Sequence, residues 1–155
     1  MRILFVLPLL AAPVFAQNLS DIALQIPQFD SIKCKFRQEK QVSGMVFKSS
    51  GDFVFEKDKG VIFYTTYPVK STASYTTKEY RHINNVINAI AGKNYSKLEK
   101  DFEFSFDNRI LKLMPKPVSQ AYNHLKLLEI ETGDAKINKI VILLCDGTKT
   151  SIWFQ

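Results

Sequence analysis

An α+β fold is predicted by three observations. Apolar and polar residues alternate in twos over most of the chain, turn signals separate the alternating runs, and a helical repeat replaces the alternation in only two places. The sum is one N-terminal helix, a run of antiparallel strands, an inserted helical pair and then more antiparallel strands.

Leu19, Ile22, Ala23 and Ile26 fall at i, i+3, i+4 and i+7, a short amphipathic helix stopped by Pro27. Ile32, Cys34 and Phe36 then alternate with Lys33, Lys35 and Arg37, giving a first strand with one apolar face. Ser49-Ser50-Gly51 reads as a turn into the strand Asp52 to Glu56. Lys57-Asp58-Lys59-Gly60 reads as a hairpin turn into Val61 to Thr66, and a weaker strand passes through Thr72, Ser74 and Thr76.

The middle is helical. Ile83, Val86, Ile87 and Ile90 recur at helical spacing before Gly92, a natural C-terminal stop. Ser96-Lys97-Leu98-Glu99 matches a capping box and predicts a second, shorter helix. Phe102, Phe104 and Phe106 restore the period of two. Asn108-Arg109 connects them to Ile110 to Met114, which Pro115 and Pro117 stop. Leu128 and Ile130 mark the next strand, with a turn at Gly133-Asp134. Ile137 to Cys145 is apolar on both faces, which predicts a strand covered on both sides, and Asp146-Gly147 turns into Thr150 to Phe154.

Residues 1–16 read as a secretory leader: Arg2, a short apolar run from Ile3 to Val14, and small residues before a cut after Ala16. The run is shorter than the roughly 20 residues a bilayer span needs. Residues 17–155 then form a single domain. The formal net charge of +6 can mean an anionic membrane surface or an acidic partner, or, with the lysines dispersed along the chain, simply a solvated surface; export argues against nucleic acid. Cys34 and Cys145 are open to two readings, a disulfide in an oxidising compartment or two unpaired thiols in apolar strands. Chemistry finds little support. His82 and His124 have no metal-ligand spacing with the cysteines, and no nucleophile elbow, phosphate loop, Cys-x-x-Cys or cofactor motif appears, so neither an enzyme, a metal site nor a bound cofactor is expected.

Twelve Phe and six Tyr are a heavy aromatic load. Phe36, Phe53, Phe55, Phe63, Phe104, Phe106 and Phe154 share one face of successive strands. An antiparallel sheet of about nine twisted strands curls toward an incomplete, half-open barrel, whose inner face is filled either by helices or by a ligand. Periodicity leaves both open: a fillable cavity, or aromatics packed on one another and on the helices.

Four stretches narrow the choice. They are Phe36-Arg37-Gln38-Glu39-Lys40; Ser50-Gly51-Asp52-Phe53-Val54-Phe55 followed by Gly60 to Pro68; Leu111 to Pro117; and Asp146 to Phe154. In that order they resemble the outer-membrane lipoprotein carrier (LolA) family, in particular its shorter LolA-like branch, since the chain stops at Gln155 before a further segment. The resemblance implies a monomeric periplasmic carrier whose half-barrel, lidded by helices, takes the acyl chains of a lipoprotein or a related lipid or glycolipid. It implies an inner-membrane donor complex or transporter and an outer-membrane acceptor. Phe36, Phe53, Phe55, Phe63, Phe104, Phe106, Leu111, Leu113 and Phe154 would line the cavity, with Val61 near its mouth. Lys57 stands where the family has an arginine that latches the lid, keeping the charge without the planar fork. The competing class is a periplasmic adaptor with a packed core that binds an acidic protein.

Overall fold

The computed structural model describes residues 21–22, 25–74, 80–134 and 136–155. The predicted leader, residues 19, 20, 23 and 24 of the first predicted helix, and Thr76 lie outside them. Ile22 is helical, and Ile22 and Ile26 are buried in the core.

Nine strands form one antiparallel sheet. They are β1 (Ser31–Val42), β2 (Met45–Glu56), β3 (Gly60–Tyr67), β4 (Ser71–Ser74), β5 (Phe102–Asp107), β6 (Ile110–Pro115), β7 (Leu125–Thr132), β8 (Ile137–Leu144) and β9 (Lys149–Phe154). Their order is β4-β3-β2-β1-β9-β8-β7-β6-β5, with β4 and β5 as unjoined edges, so the sheet is open. Helices α1 (Arg81–Ala91) and α2 (Tyr95–Asp101) lie between β4 and β5 in the chain. Every strand is thus hydrogen-bonded to a near neighbour in sequence except at the β1–β9 seam, where Phe36 faces Phe154 and Gln41 faces Lys149.

Period-two patterning produces the two-faced sheet, because successive side chains point to opposite faces. The ladder registers carry apolar residues straight across the inner face. One row runs Phe106, Leu111, Ile130, Ile140, Ile152 and Gln38. The outer face is charged and ion-paired: Lys35 meets Asp52 at 2.6 Å, Lys112 meets Glu129 at 3.5 Å, and Arg37 and Lys139 stack over the Trp153 ring.

Three expectations are corrected. Ser49-Ser50-Gly51 is no turn: β2 runs through it with a bulge, and the β1–β2 turn is Ser43-Gly44, both at positive φ as a two-residue hairpin requires. Gly51 is needed for closeness, since a Cβ there would collide with the Tyr64 carbonyl. The capping box is not formed either. The second helix starts at Tyr95, and Ser96 Oγ donates to Asn94 Oδ1 at 3.1 Å instead of closing back on the helix. Strand β8 is covered on one side only: Ile140 and Ile142 are buried, whereas Val141 and Leu143 are half-exposed on the outer face. Among the described residues no second layer reaches them, because both helices lie on the inner face.

Gly92 does end α1, its N–H bonding to the Asn88 carbonyl, but the left-handed residue that turns the chain is Lys93. The Asn108-Arg109 and Lys57 to Gly60 turns are both made, each with residues at positive φ.

Candidate functional site

The inner face gathers the residues singled out for a cavity. Phe36, Phe53, Phe55, Val61, Phe63, Phe104, Phe106, Leu111, Leu113 and Phe154 all belong to one buried cluster. Register explains it: Cys34 faces Phe53, which faces Phe63, and Phe104 faces Leu113. The rings touch one another. Phe63 is the hub, 4.9 Å from Phe53, 5.1 Å edge-on from Phe36 and 4.3 Å from the stacked ring of Tyr80, while Phe53 lies 4.7 Å from Phe154. Such contacts add about 0.5–1.5 kcal/mol per pair beyond area burial.

Helix α1 covers this cluster. Its buried stripe, Ile83, Val86, Ile87, Ala89 and Ile90, follows the 3.6-residue repeat and packs beside β3. Helix α2 covers the β5 end through Leu98. The face is therefore closed over and filled, and Phe53, Phe55, Val61 and Phe63 have essentially no exposed surface. Val61, assigned near a mouth by resemblance, lies wholly buried.

Polar groups tie the helix down at two points. Asn84 Oδ1 accepts the Val61 N–H at 3.1 Å and also the Asn88 Nδ2 at 3.0 Å. Tyr80, just before α1, donates its hydroxyl to Gln38 Oε1 at 3.1 Å, giving a buried polar contact inside an apolar face. Sequence reasoning missed both ties. Gln38 sits in the inward register of β1, and Asn84 adjoins the apolar repeat, but only the tertiary contact distinguishes them from surface amides.

Lys57 lies in the β2–β3 turn, in a groove of about 400 Å³ shared with Asn84, Asn88 and Gly92. It is exposed, and among the described residues its side chain has no ion pair or hydrogen bond to α1. The contact between this turn region and the helix is made by Asn84.

A second groove of about 400 Å³ opens at the other end of the inner face, between α1 and the β6–β7 connection. Lys40, Ile142, Leu144 and Thr150 continue the inner face into it, and His82 and His124 stand at its side. Burial holds the His82 imidazole below its usual range, helped by the neighbouring His124 and by the Arg81 charge. His82 therefore favours the neutral form beside this opening.

The cysteines do not meet. Both are free thiols, Cys34 half-buried and Cys145 exposed. Cys145 follows the end of β8 where Lys40 faces Thr150, six residues along β1 from Cys34. That is about 20 Å at strand rise, against the roughly 7 Å limit for a bridge. Burial pushes the Cys34 thiol up, keeping it protonated and unreactive. Among the described residues no His, Cys, Asp and Glu cluster is arranged to hold a metal ion.

Fold and site together define an open-sheet α+β protein whose aromatic inner face is capped by a short amphipathic helix. No family model matches the chain, and no curated protein matches it at the level of a relative.

Proposed function

We propose that this protein carries an acylated lipid, taking the acyl chains of a lipoprotein or related lipid or glycolipid between the inner face of the sheet and a lid formed by α1 and α2. The supporting observation is the pairing of an unclosed, aromatic-lined sheet with a single short helix that supplies most of its cover. On this reading the sheet is a half-barrel, the closed arrangement is the empty state, and cargo displaces the helix. The motif order resembling the lipoprotein carrier family agrees with it. So does the leader, which would deliver the chain to the periplasm between a membrane donor and an outer-membrane acceptor.

The energetics suit a shuttle. An acyl chain of about fifteen methylenes gains on the order of 12 kcal/mol on leaving water. Lifting α1 exposes apolar side chains each worth about 1.5–3 kcal/mol when fully buried. The two terms oppose each other at similar size, so net affinity is moderate and release is reversible.

A second reading is favoured by the filled core: the face is simply packed, and the protein is an adaptor whose basic surface meets an acidic partner. Organic-solvent extraction of the purified protein, paired with titration of a fluorescent fatty acid, separates the two. The carrier releases lipid in near-stoichiometric amount and binds the probe saturably. Absence of both results leaves the adaptor.

A further inference from the structure

Large apolar side chains are exposed at one end of the sheet. Among the described residues, Met45, Val46 and Phe47 are 58%, 51% and 55% exposed, Tyr67 and Val69 are 62% and 72%, and Val118 and Tyr122 are also open. The first three flank the β1–β2 turn, the next two the β3–β4 connection, and the last two lie in the β6–β7 connection. Antiparallel pairing puts all three connections at the same end, beside the β8–β9 turn. Of the large exposed apolar residues described, only Tyr64 lies elsewhere, on the outer side of β3.

On the side facing β3, the β1–β2 hairpin runs on uncovered. The last β2–β3 pair is Ser50 with Tyr67, so β2 continues five residues beyond it to Met45. That leaves about 17 Å of β2 at strand rise without a β3 partner, while on the other side of the hairpin β1 stays paired with β9 as far as Gln41 with Lys149. Phe47 pairs with Lys40 and Met45 with Val42, which puts both on the inner-face side, while Val46 points the other way. One flat protein surface buries only one side of such a tip, whereas hydrocarbon surrounds both.

The charge around it is basic. Lys48, Lys70 and Lys149 are exposed about the hairpin and its neighbouring connections, and Lys40 stands on the inner side. The carboxylates described about the hairpin are Glu39, already 3.8 Å from Lys48, and Asp146, which accepts the Thr148 N–H at 2.8 Å; beside the β6–β7 connection, Glu99 and Asp101 stand among Lys97, Lys100 and Lys116. Apolar side chains ringed by lysines match the composition of a surface that inserts into an anionic bilayer interface.

We infer that the β1–β2 hairpin is a membrane-docking device that seats this end of the sheet on an anionic phospholipid surface. Docking there brings the groove beside Lys40, Ile142 and Thr150 toward the lipid. The inference does not require that the inner face be occupied, so it stands or falls apart from the carrier reading.

The test uses the full-length purified protein and vesicles of phosphatidylcholine with or without phosphatidylglycerol. The protein should co-sediment with the anionic vesicles, weakly with neutral ones, and less as salt is raised. Met45→Ser with Phe47→Ser should lower partitioning about tenfold or more while leaving the circular dichroism spectrum unchanged. As a check independent of affinity, Phe47→Trp in a Trp153→Phe background should show a blue-shifted emission on adding anionic vesicles. Failure of the wild-type protein to bind them, equal binding by the double serine variant, or an unshifted emission from the Phe47→Trp variant would each overturn the inference. Fatty-acid binding without vesicle binding would leave the carrier reading intact and remove this one.

Discussion

Gly51 shows how one absent side chain shapes the sheet. It lies at the bulge where β2 and β3 change register, with the Tyr64 carbonyl occupying the space a Cβ would need. Its neighbours there are backbone atoms, which cannot swing aside as a flexible side chain would. Gly51→Ala should therefore destabilise the protein by about 1–3 kcal/mol, the usual scale of overpacking, measured as a lower urea midpoint. A midpoint equal to wild type would mean that the β2–β3 pair moves apart freely. Phe63 is legible as a core aromatic from alternation alone. Its role as hub, touching Phe36, Phe53 and Tyr80, is not, because those rings come from three other segments.

At the scale of elements, α1 follows plainly from its repeat, and so does the face it buries. What holds it in place is less visible. Asn84 joins the helix to the first residues of β3 through the Val61 N–H, a donor that is otherwise buried. Asn84→Ala leaves that donor unpaired, a loss of roughly 1–3 kcal/mol. Faster amide exchange at Val61 and through α1, with the sheet core unaffected, is the expected result. If α1 is a lid, a fluorescent fatty acid should also enter this variant faster than wild type. Lys57, which resemblance suggested for a latch, sits in the adjoining turn, but the contact falls to a neutral amide. The capping box failed for a related reason: Asn94 took the Ser96 hydroxyl, and local hydrogen bonding of that kind competes with a cap.

Over the whole molecule, the two cysteines lie at opposite ends of the same sheet. A reductant should leave the melting temperature unchanged, and the chain should migrate identically with and without it on a denaturing gel. A reductant-sensitive melting curve would require the β1–β9 seam to be drawn differently. The two ends of the sheet also differ in character. Arg109 pairs with Asp134 and Lys59 with Glu56 at one end, whereas exposed apolar side chains crowd the other. That polarity belongs to the assembled sheet, since Met45, Val69 and Tyr122 are far apart in the chain and meet at one end only through strand direction.

The sequence by itself determined the fold class, most of the strands, the inserted helices and the shared face of the aromatic residues. Those features depend on the period of side-chain direction within a few residues. Tertiary structure decided that β2 runs on through Ser49-Ser50-Gly51, that β8 stays half-open on its outer side, and that the cysteines remain apart. It also decided that the aromatic face is closed beneath α1. Each of these depends on which distant segment arrives as a neighbour, and local periodicity carries no record of that.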